Sequence, residues 1–451
     1  MSVAAGPVSQ ATPITHQSPL PSSVGLVVIG GGVAGVSAAL YAAREGASVL
    51  LLEKGRIAGE QSSRNWGWIR QQGRDPAELS MAIEAGHLWK ELARATNDEI
   101  GLRQTGTLYL MRSEADRARY EDWMMHAEAH NLDTRILSKT ELQSMMPAAR
   151  AAWIGGLWTP SDQRAEPWLA VPALARLAAR EGVAIREHCA VRCLDIAAGR
   201  VRGVMTEAGP VQAEAVILAG GAWSRLLLRH HRVDLPQLSV RASVMATGPL
   251  PEVFDGGAAD GDLAFRRRED GGYSLAASDW HTLWVGPDAV RSLGAYWPQI
   301  RKGTPSTTYR PSAPDGFPDA WTTPRQLAGD RPGPFERMRV LDPPPDRAKL
   351  AEVARRFAAA FPAVGAVTTA CAWAGMIDVL PDELPVIDAL PTLEGLTVLT
   401  GLSGHGFGIG PAAGKTAARL ALGQDPGHDL AAFEHTRFSR SGHRPRPGPH
   451  I

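Results

Sequence analysis

Val27-Val28-Ile29 is an unbroken apolar run, and small or apolar residues continue beyond it to Ala43, the first charged side chain being Arg44. By hydropathy alone the stretch from Val24 to Ala43 is long enough for a membrane span. Three successive glycines, Gly30 to Gly32, argue against one: they divide it into a short β-rich run and a small-residue helix over Val33 to Glu45, which Gly46 stops. Val49-Leu50-Leu51-Leu52 is a second continuous apolar run. Such runs mark parallel strands buried on both faces, so the pattern predicts a strand, a tight turn, a helix and a second parallel strand. Val211 to Leu218 and Leu396 to Leu399 are further strands, each leading into a glycine-rich turn, and a helix is predicted to start with Pro411 near its first turn. Asp75-Pro76-Ala77-Glu78 opens another helix with an acidic cap, proline at its first position and glutamate at its third. Thr107 to Met111 reads as a strand, and Phe265 to Leu275 as a hairpin turning at Gly271-Gly272. Residues 285–340 are Pro-rich and weakly periodic, and read equally as a lid or as a surface insertion. Residues 1–23, rich in Pro, Ser, Thr and Gln, and residues 439–451 read as disordered tails.

Gly30, Gly32 and Gly35 have the spacing of a dinucleotide fingerprint. The first permits the tight turn, the second lets backbone approach a pyrophosphate, and the third lets the helix pack on the sheet. The free N–H groups and positive dipole of the helix beginning Val33-Ala34 face the phosphates. Glu53 ends the second strand, where a carboxylate accepts hydrogen bonds from ribose hydroxyls and repels a 2′-phosphate. These residues alone allow NAD or FAD. The turn Ala219-Gly220-Gly221-Ala222-Trp223-Ser224 and the C-terminal turn Thr400 to Pro411 favour a flavin, since a second positive helix end would stabilise charge on a reduced isoalloxazine.

A chain of 451 residues exceeds the usual size of one core, so two domains are expected. The 47 basic and 47 acidic residues balance, which gives no electrostatic reason to expect nucleic acid or an anionic membrane as partner. Cys189, Cys193 and Cys371 are too few for a disulfide framework and fit a reducing, cytoplasmic setting. His188, Cys189 and Cys193 lack a second ligand pair, so they read as a strand with two buried thiols and no metal is expected. No basic leader or cleavage motif precedes the first strand.

Five markers in order, the N-terminal fingerprint, Ser62-Ser63-Arg64-Asn65-Trp66-Gly67, Ala219 to Ser224, Trp373-Ala374-Gly375 with Pro381-Asp382 and Pro385, and Ser403-Gly404-His405-Gly406-Phe407, resemble the D-amino-acid oxidase and sarcosine oxidase superfamily, which includes glycine oxidase and γ-glutamylputrescine oxidase. The resemblance runs from about Val24 to Phe438. It implies an α/β protein in which a Rossmann-like FAD-binding domain (24–98, 152–236 and 372–436) carries a second, mainly antiparallel-sheet substrate domain (99–151 and 237–371). It further implies FAD contacts from Gly30, Gly32, Val33, Ala34, Gly35, Glu53, Lys54, Ser62, Ser63, Arg64, Asn65, Gly67, Trp68, Val191, Gly220, Gly221, Trp223, Gly404, His405, Gly406, Phe407, Gly408 and Ile409. Asn65, Trp66, Arg70, Arg267, Asp378 and His405 are the expected catalytic positions.

The chain departs from that family at three places. Members that grip a carboxylate often carry Gly-x-Arg-Pro, where this chain reads Gly375-Met376-Ile377-Asp378. Members with covalent flavin carry Cys at the position of Gly375, so non-covalent FAD is expected despite nearby Cys371. The lysine that assists oxygen reduction in the sarcosine oxidase branch aligns with Ser274, which leaves oxygen or another acceptor open. The implied reaction is oxidation of the C–N bond of an amine or amino acid, hydride passing to flavin N5 and the imine then hydrolysing. Oxidation of a 2-hydroxy acid or polyol phosphate, and a non-catalytic flavin-binding subunit, are the alternatives on the same fold. Trp66 and Trp68 are expected as apolar walls. Arg70, Arg74 and Arg266 to Arg268, above all Arg267 in phase with Phe265, are expected to meet a substrate carboxylate. Asp378 is expected to favour a cationic nitrogen.

Overall fold

The computed structural model describes residues 6–303 and 306–439. Its first sheet is built on five parallel strands, Leu396–Thr400, Gly209–Leu218, Ser23–Ile29, Val49–Leu52 and Ala184–Arg186, in that lateral order. Val191–Ala197 and Arg200–Thr206 continue it antiparallel from Gly209–Leu218, and Val386–Ala389 pairs antiparallel with Leu396–Thr400. Ser23–Ile29 lies at the centre, with Val27 and Val28 fully buried between neighbours, as its continuous apolar run requires.

Two helices cover this sheet in close contact. Val33–Arg44 follows the first strand, and Gly406–Ala421 follows Leu396–Thr400. A side chain built on Gly410 would come within 2.8 Å of Val33, and one on Gly414 within 2.6 Å of Ser37 and 2.8 Å of the Ala34 carbonyl. Because 410 meets 33 and 414 meets 37, the helices run in the same direction and their N-termini emerge side by side. The second helix begins at Gly406, five residues before the predicted start at Pro411. Proline's fixed φ is compatible with the helical backbone, and inside a helix it gives up one hydrogen bond and crowds the carbonyl four residues earlier, here Phe407. Gly35 and Gly30 do the corresponding work at the strand-helix junction, since a Cβ on either would lie 2.0 or 2.3 Å from a carbonyl oxygen.

The second sheet has ten strands and is mainly antiparallel. Its axis is the pairing of Leu238–Thr247 with Thr369–Val379, in register from Leu238 opposite Val379 to Ala246 opposite Cys371, with a bulge before Thr247 meets Thr369. The predicted hairpin is present as Ala264–Arg267 against Tyr273–Ala276, with Gly271 at φ +78° in the turn. Thr107–Met111 forms as predicted and pairs with Gly155–Thr159. Asp75 caps the helix Pro76–Ala95 by accepting the Ala77 N–H.

The expected N-terminal tail is a correction over residues 6–22. Val8 is buried, the N–H groups of Thr15 and His16 donate to Glu187, and Gln17 and Ser18 bridge to the edge strand Ala184–Arg186. The polar residues that read as solvated are the donors a buried carboxylate needs. Burial alone would raise Glu187, but the His16 side chain, with the N–H groups of Ile57, Thr15 and His16, holds it at about 2. Residues 1–5, and 440–451 of the second expected tail, lie outside the described residues.

Gly414→Val places methyl groups where neighbouring atoms already stand at 2.6–2.8 Å. Overpacking of this kind costs about 1–3 kcal/mol, more than the under 1 kcal/mol or so gained by replacing a helical glycine. A lowered urea midpoint and weaker FAD retention are expected, whereas Gly423→Asn, at an open position with φ +70°, should change neither.

Candidate active site

Both helix N-termini open into one cavity of ≈ 1310 Å³, larger than the roughly 300–1,000 Å³ of an ordinary small-molecule site. Its floor is the turn Gly30 to Ala34, and its wall includes Glu53, Lys54, Ser62, Val191, Gly220, Gly221, Trp223 and Gly404 to Phe407. Ser62 Oγ accepts the Val33 N–H at 2.9 Å, so a polar group already caps the first helix. The Glu53 carboxylate takes the Gly31 and Gly55 N–H groups at 2.7 and 2.6 Å, and burial pushes it up to about 7 despite Lys54 and those two donors. A half-buried carboxylate on a cavity wall, disfavoured in its ionised form by desolvation, is suited to hydroxyl donors from a ribose. Lys54 Nζ is committed to Glu60 and to the carbonyls of Met338 and Arg339, and lies 4.4 Å over the Trp223 ring. These features fit an FAD: Gly30 to Ala34 would hold its pyrophosphate, Glu53 its adenosine ribose, and Ser62, Gly375 and Gly404 to Phe407 its ring system.

Asn65 folds its own turn, accepting the Gly67 N–H and donating to the carbonyls of Gln61 and Ser62. That turn presents Trp66 to the cavity, edge-on to Trp68 with centroids 5.2 Å apart; Trp68 in turn meets Tyr109 at 6.3 Å. Arg70 and Arg74 line the same end. The Arg70 guanidinium sits 5.3 Å from the Tyr109 ring and donates to the Gln72 carbonyl. Arg74 is buried, its Nη1 has no hydrogen-bond partner, and burial with Arg70 beside it lowers it to about 10. Its nearest acid is Glu78, 3.8 Å away. Glu78 is fully buried and reaches His405 Nδ1 at 3.0 Å. Burial alone would raise Glu78, but His405, Arg74 and Arg70 together hold it below its usual value; burial and Arg74 lower His405.

Several expected residues do other work. Arg267 is a correction: it is off the cavity wall, donating to the Leu250 carbonyl and the Tyr273 hydroxyl, because its phase with Phe265 turns it toward the aromatic core of the second sheet. Asp378 lies on the cavity wall. It is buried, and its Oδ2 accepts from the Gly401 N–H at 2.8 Å and Gln237 Nε2 at 2.9 Å, so its carboxylate anchors the Thr400-Gly401 turn. Arg64 reaches the cavity wall, but its guanidinium is spent on Asp342 and on the carbonyls of Val8, Gly59 and Ala374. Ser63 accepts the Val8 N–H and lies off the wall, as do Gly35, Gly67, Gly408 and Ile409, which shape it from behind. Ser274, opposite Ala246 and Arg266 in the second sheet, is off the wall too. The first part of 285–340 does line the cavity, through Val285, Leu293, Tyr296 and Ile300.

Glu78 and Gln237 were not singled out as site residues from sequence. Glu78 read as a capping acid, yet it falls in phase with the buried stripe Met81, Ala82, Ala85, Trp89. An acid inside an apolar stripe, one turn after Arg74, was the available signal. Gln237, which ties Gly221 to Asp378 and Thr400, has none.

The model of the FAD dependent oxidoreductase family matches residues 26–420, and the chain belongs to that family. The N-methyl-L-tryptophan oxidase of Salmonella agona is 27% identical over 429 residues, 92% of this chain and 99% of that protein. Mouse mitochondrial sarcosine dehydrogenase is 24% identical over 440 residues, which cover 94% of this chain but 42% of that protein, so the chain spans under half its length. Among solved structures, the L-amino acid deaminase from Proteus myxofaciens in complex with anthranilate superimposes with a TM-score of 0.90 at 28% identity, covering 96% of this chain and 98% of that one. No helix among the described residues is long and apolar enough to cross a membrane.

Glu53 is expected to make FAD binding pH-dependent. Its carboxyl is raised from 4.5 to about 7 in the folded protein, so the stability it contributes is full below 4.5 and lost as pH rises through 7. Ribose hydroxyls favour the ionised form. FAD affinity of the apoprotein, measured by fluorescence titration, should therefore strengthen from pH 5 to pH 8 with release of a proton. Glu53→Gln should flatten that slope and weaken binding at pH 8 by about tenfold to a hundredfold, the equivalent of about 1.5–3 kcal/mol. An unchanged slope in the variant would assign the pH dependence elsewhere.

Proposed function

We propose that this FAD dependent oxidoreductase oxidises the C–N bond of an α-amino acid with a bulky apolar side chain. The observation that carries the reading is the pair Arg70 and Arg74 on the cavity wall: the Arg74 guanidinium is buried, its Nη1 has no hydrogen-bond partner, and its nearest counter-charge, Glu78, is 3.8 Å away. Two guanidinium forks suit a carboxylate, and they supply the anchor that Ile377 does not. Trp66, Trp68 and Tyr109 with Leu238, Val240 and Leu283 offer an apolar surface for the substrate side chain. The deaminase and oxidase relatives support amino acids as the substrate class.

FAD, when bound, supplies the hydride acceptor. The chain's own residues hold the carboxylate, orient the Cα–H bond toward the ring and exclude water, and the imine product hydrolyses to a carbonyl compound and ammonia or a smaller amine. Attachment of the flavin is non-covalent in this reading, since Gly375 stands on the wall and Cys371 does not. The free cysteines favour a cytoplasmic location.

Anaerobic bleaching of the flavin by a panel of amino acids, N-methyl amino acids, amines and hydroxy acids tests the reaction without knowledge of the acceptor. Apolar amino acids should bleach it, and hydroxy acids should not. Acid or heat should release all FAD from the polypeptide; flavin retained on denatured protein would refute non-covalent attachment.

Arg70→Met should raise KM for amino acids about tenfold to a hundredfold, as loss of a hydrogen bond to a charged group worth about 1.5–3 kcal/mol predicts. The corresponding amines without a carboxylate should be unaffected. An equal loss for both would remove Arg70 from the anchor.

A further inference from the structure

We infer that Glu78 and His405 form a proton-accepting pair, in which Glu78 holds the Nδ1–H of His405 and Nε2 takes a proton from the ammonium group of the substrate. The inference rests on the amino-acid reading above.

The ring geometry sets the tautomer. His405 Nδ1 stands 3.0 and 3.3 Å from the two oxygens of Glu78. An ionised carboxylate only accepts, so Nδ1 carries the hydrogen, and in the neutral ring Nε2 keeps a lone pair. Glu78 is fully buried behind the wall, while His405 forms part of it with 20% of its side chain exposed. The edge away from Nδ1 is therefore the edge on the cavity side.

The charges around the pair suit proton uptake. Arg70, Arg74, Asp75 and Glu78 are the groups facing the imidazole; burial and Arg74 disfavour its charged form, and Glu78 favours it. The resting ring is neutral, and the imidazolium it becomes has a carboxylate in contact. Arg74 connects this pair to the substrate anchor, being 3.8 Å from the same Glu78. An amino acid whose carboxylate meets Arg74 has its nitrogen two bonds from that carboxyl carbon, beside His405.

Hydride cannot leave carbon beside an ammonium, because the nitrogen needs its lone pair to form the imine. In the transfer one N–H bond of the ammonium breaks, its electron pair stays on nitrogen and an Nε2–H bond forms. No oxidant is consumed in this step.

His405→Asn should lower kcat/KM at neutral pH by roughly a hundredfold or more, the usual contribution of a general base. The loss should diminish at high pH, where the substrate nitrogen is already neutral in water. Glu78→Gln keeps an acceptor for Nδ1–H but removes the charge, so the acid limb of kcat/KM should move to lower pH; a packing role would leave the limb in place. In the ligand-free protein, 15N spectra of labelled histidine, with the His405 signal assigned through the Asn variant, should show Nδ1 protonated and Nε2 bare at neutral pH. An Nε2–H tautomer, or a His405→Asn profile parallel to wild type, would overturn the pair while amino-acid oxidation stands. A wild type that no amino acid reduces would overturn the substrate reading and this inference together.

Discussion

The molecule depends on the contact between two parallel helices at Gly410 and Gly414. Neither position has room for a Cβ, with neighbouring atoms at 2.6–2.8 Å. Close approach makes the helices run side by side, so that Val33 and Gly406 both end at the same cavity. Two positive dipole ends would then act on one ligand, the first on phosphate and the second on the redox ring. Widening the pair by one methyl group would separate the two ends of a rigid cofactor site, which no side-chain rotation can repair.

The parts of the fold that were legible in the sequence are those governed by backbone periodicity. Val27 to Ile29, Val49 to Leu52 and Thr107 to Met111 declared themselves because continuous apolar runs have one stable use in a buried sheet. Gly30 and Gly35 were equally plain, since close carbonyl contacts exclude every other residue. The start of the Gly406–Ala421 helix was misplaced because proline marks a first turn more often than an interior. Residues 6–22 were misjudged because their partner, Glu187, is 170 residues away along the chain and composition carries no information about it.

Site chemistry was legible where it lies on backbone and obscure where it depends on side-chain direction. Gly220, Gly221 and Gly404 to Phe407 line the cavity as expected. Arg267 did not, since alternation along a strand identifies a face but not which sheet neighbour covers it, and that face meets Phe357 and Phe361. Asp378 lies on the cavity wall as placed, and its carboxylate also satisfies the buried Gly401 N–H, a partner that strand periodicity does not reveal.

Moving the carboxylate anchor from position 377 to Arg70 and Arg74 changes more than geometry. Ile377 packs beside Gly404, while Asp378, the next residue of the strand, is held in the turn by the Gly401 N–H. On the segment between Trp68 and the helix Pro76–Ala95, the arginines share an ion cluster with Glu78 and His405. On the proposed reading, a substrate carboxylate arriving there would offset the Arg74 charge that, after burial, lowers His405. The imidazole would become more basic when a substrate with both a carboxylate and an ammonium is in place. Anchor and base are then one electrostatic unit, and an amine lacking the carboxylate would meet a weaker base as well as a missing grip.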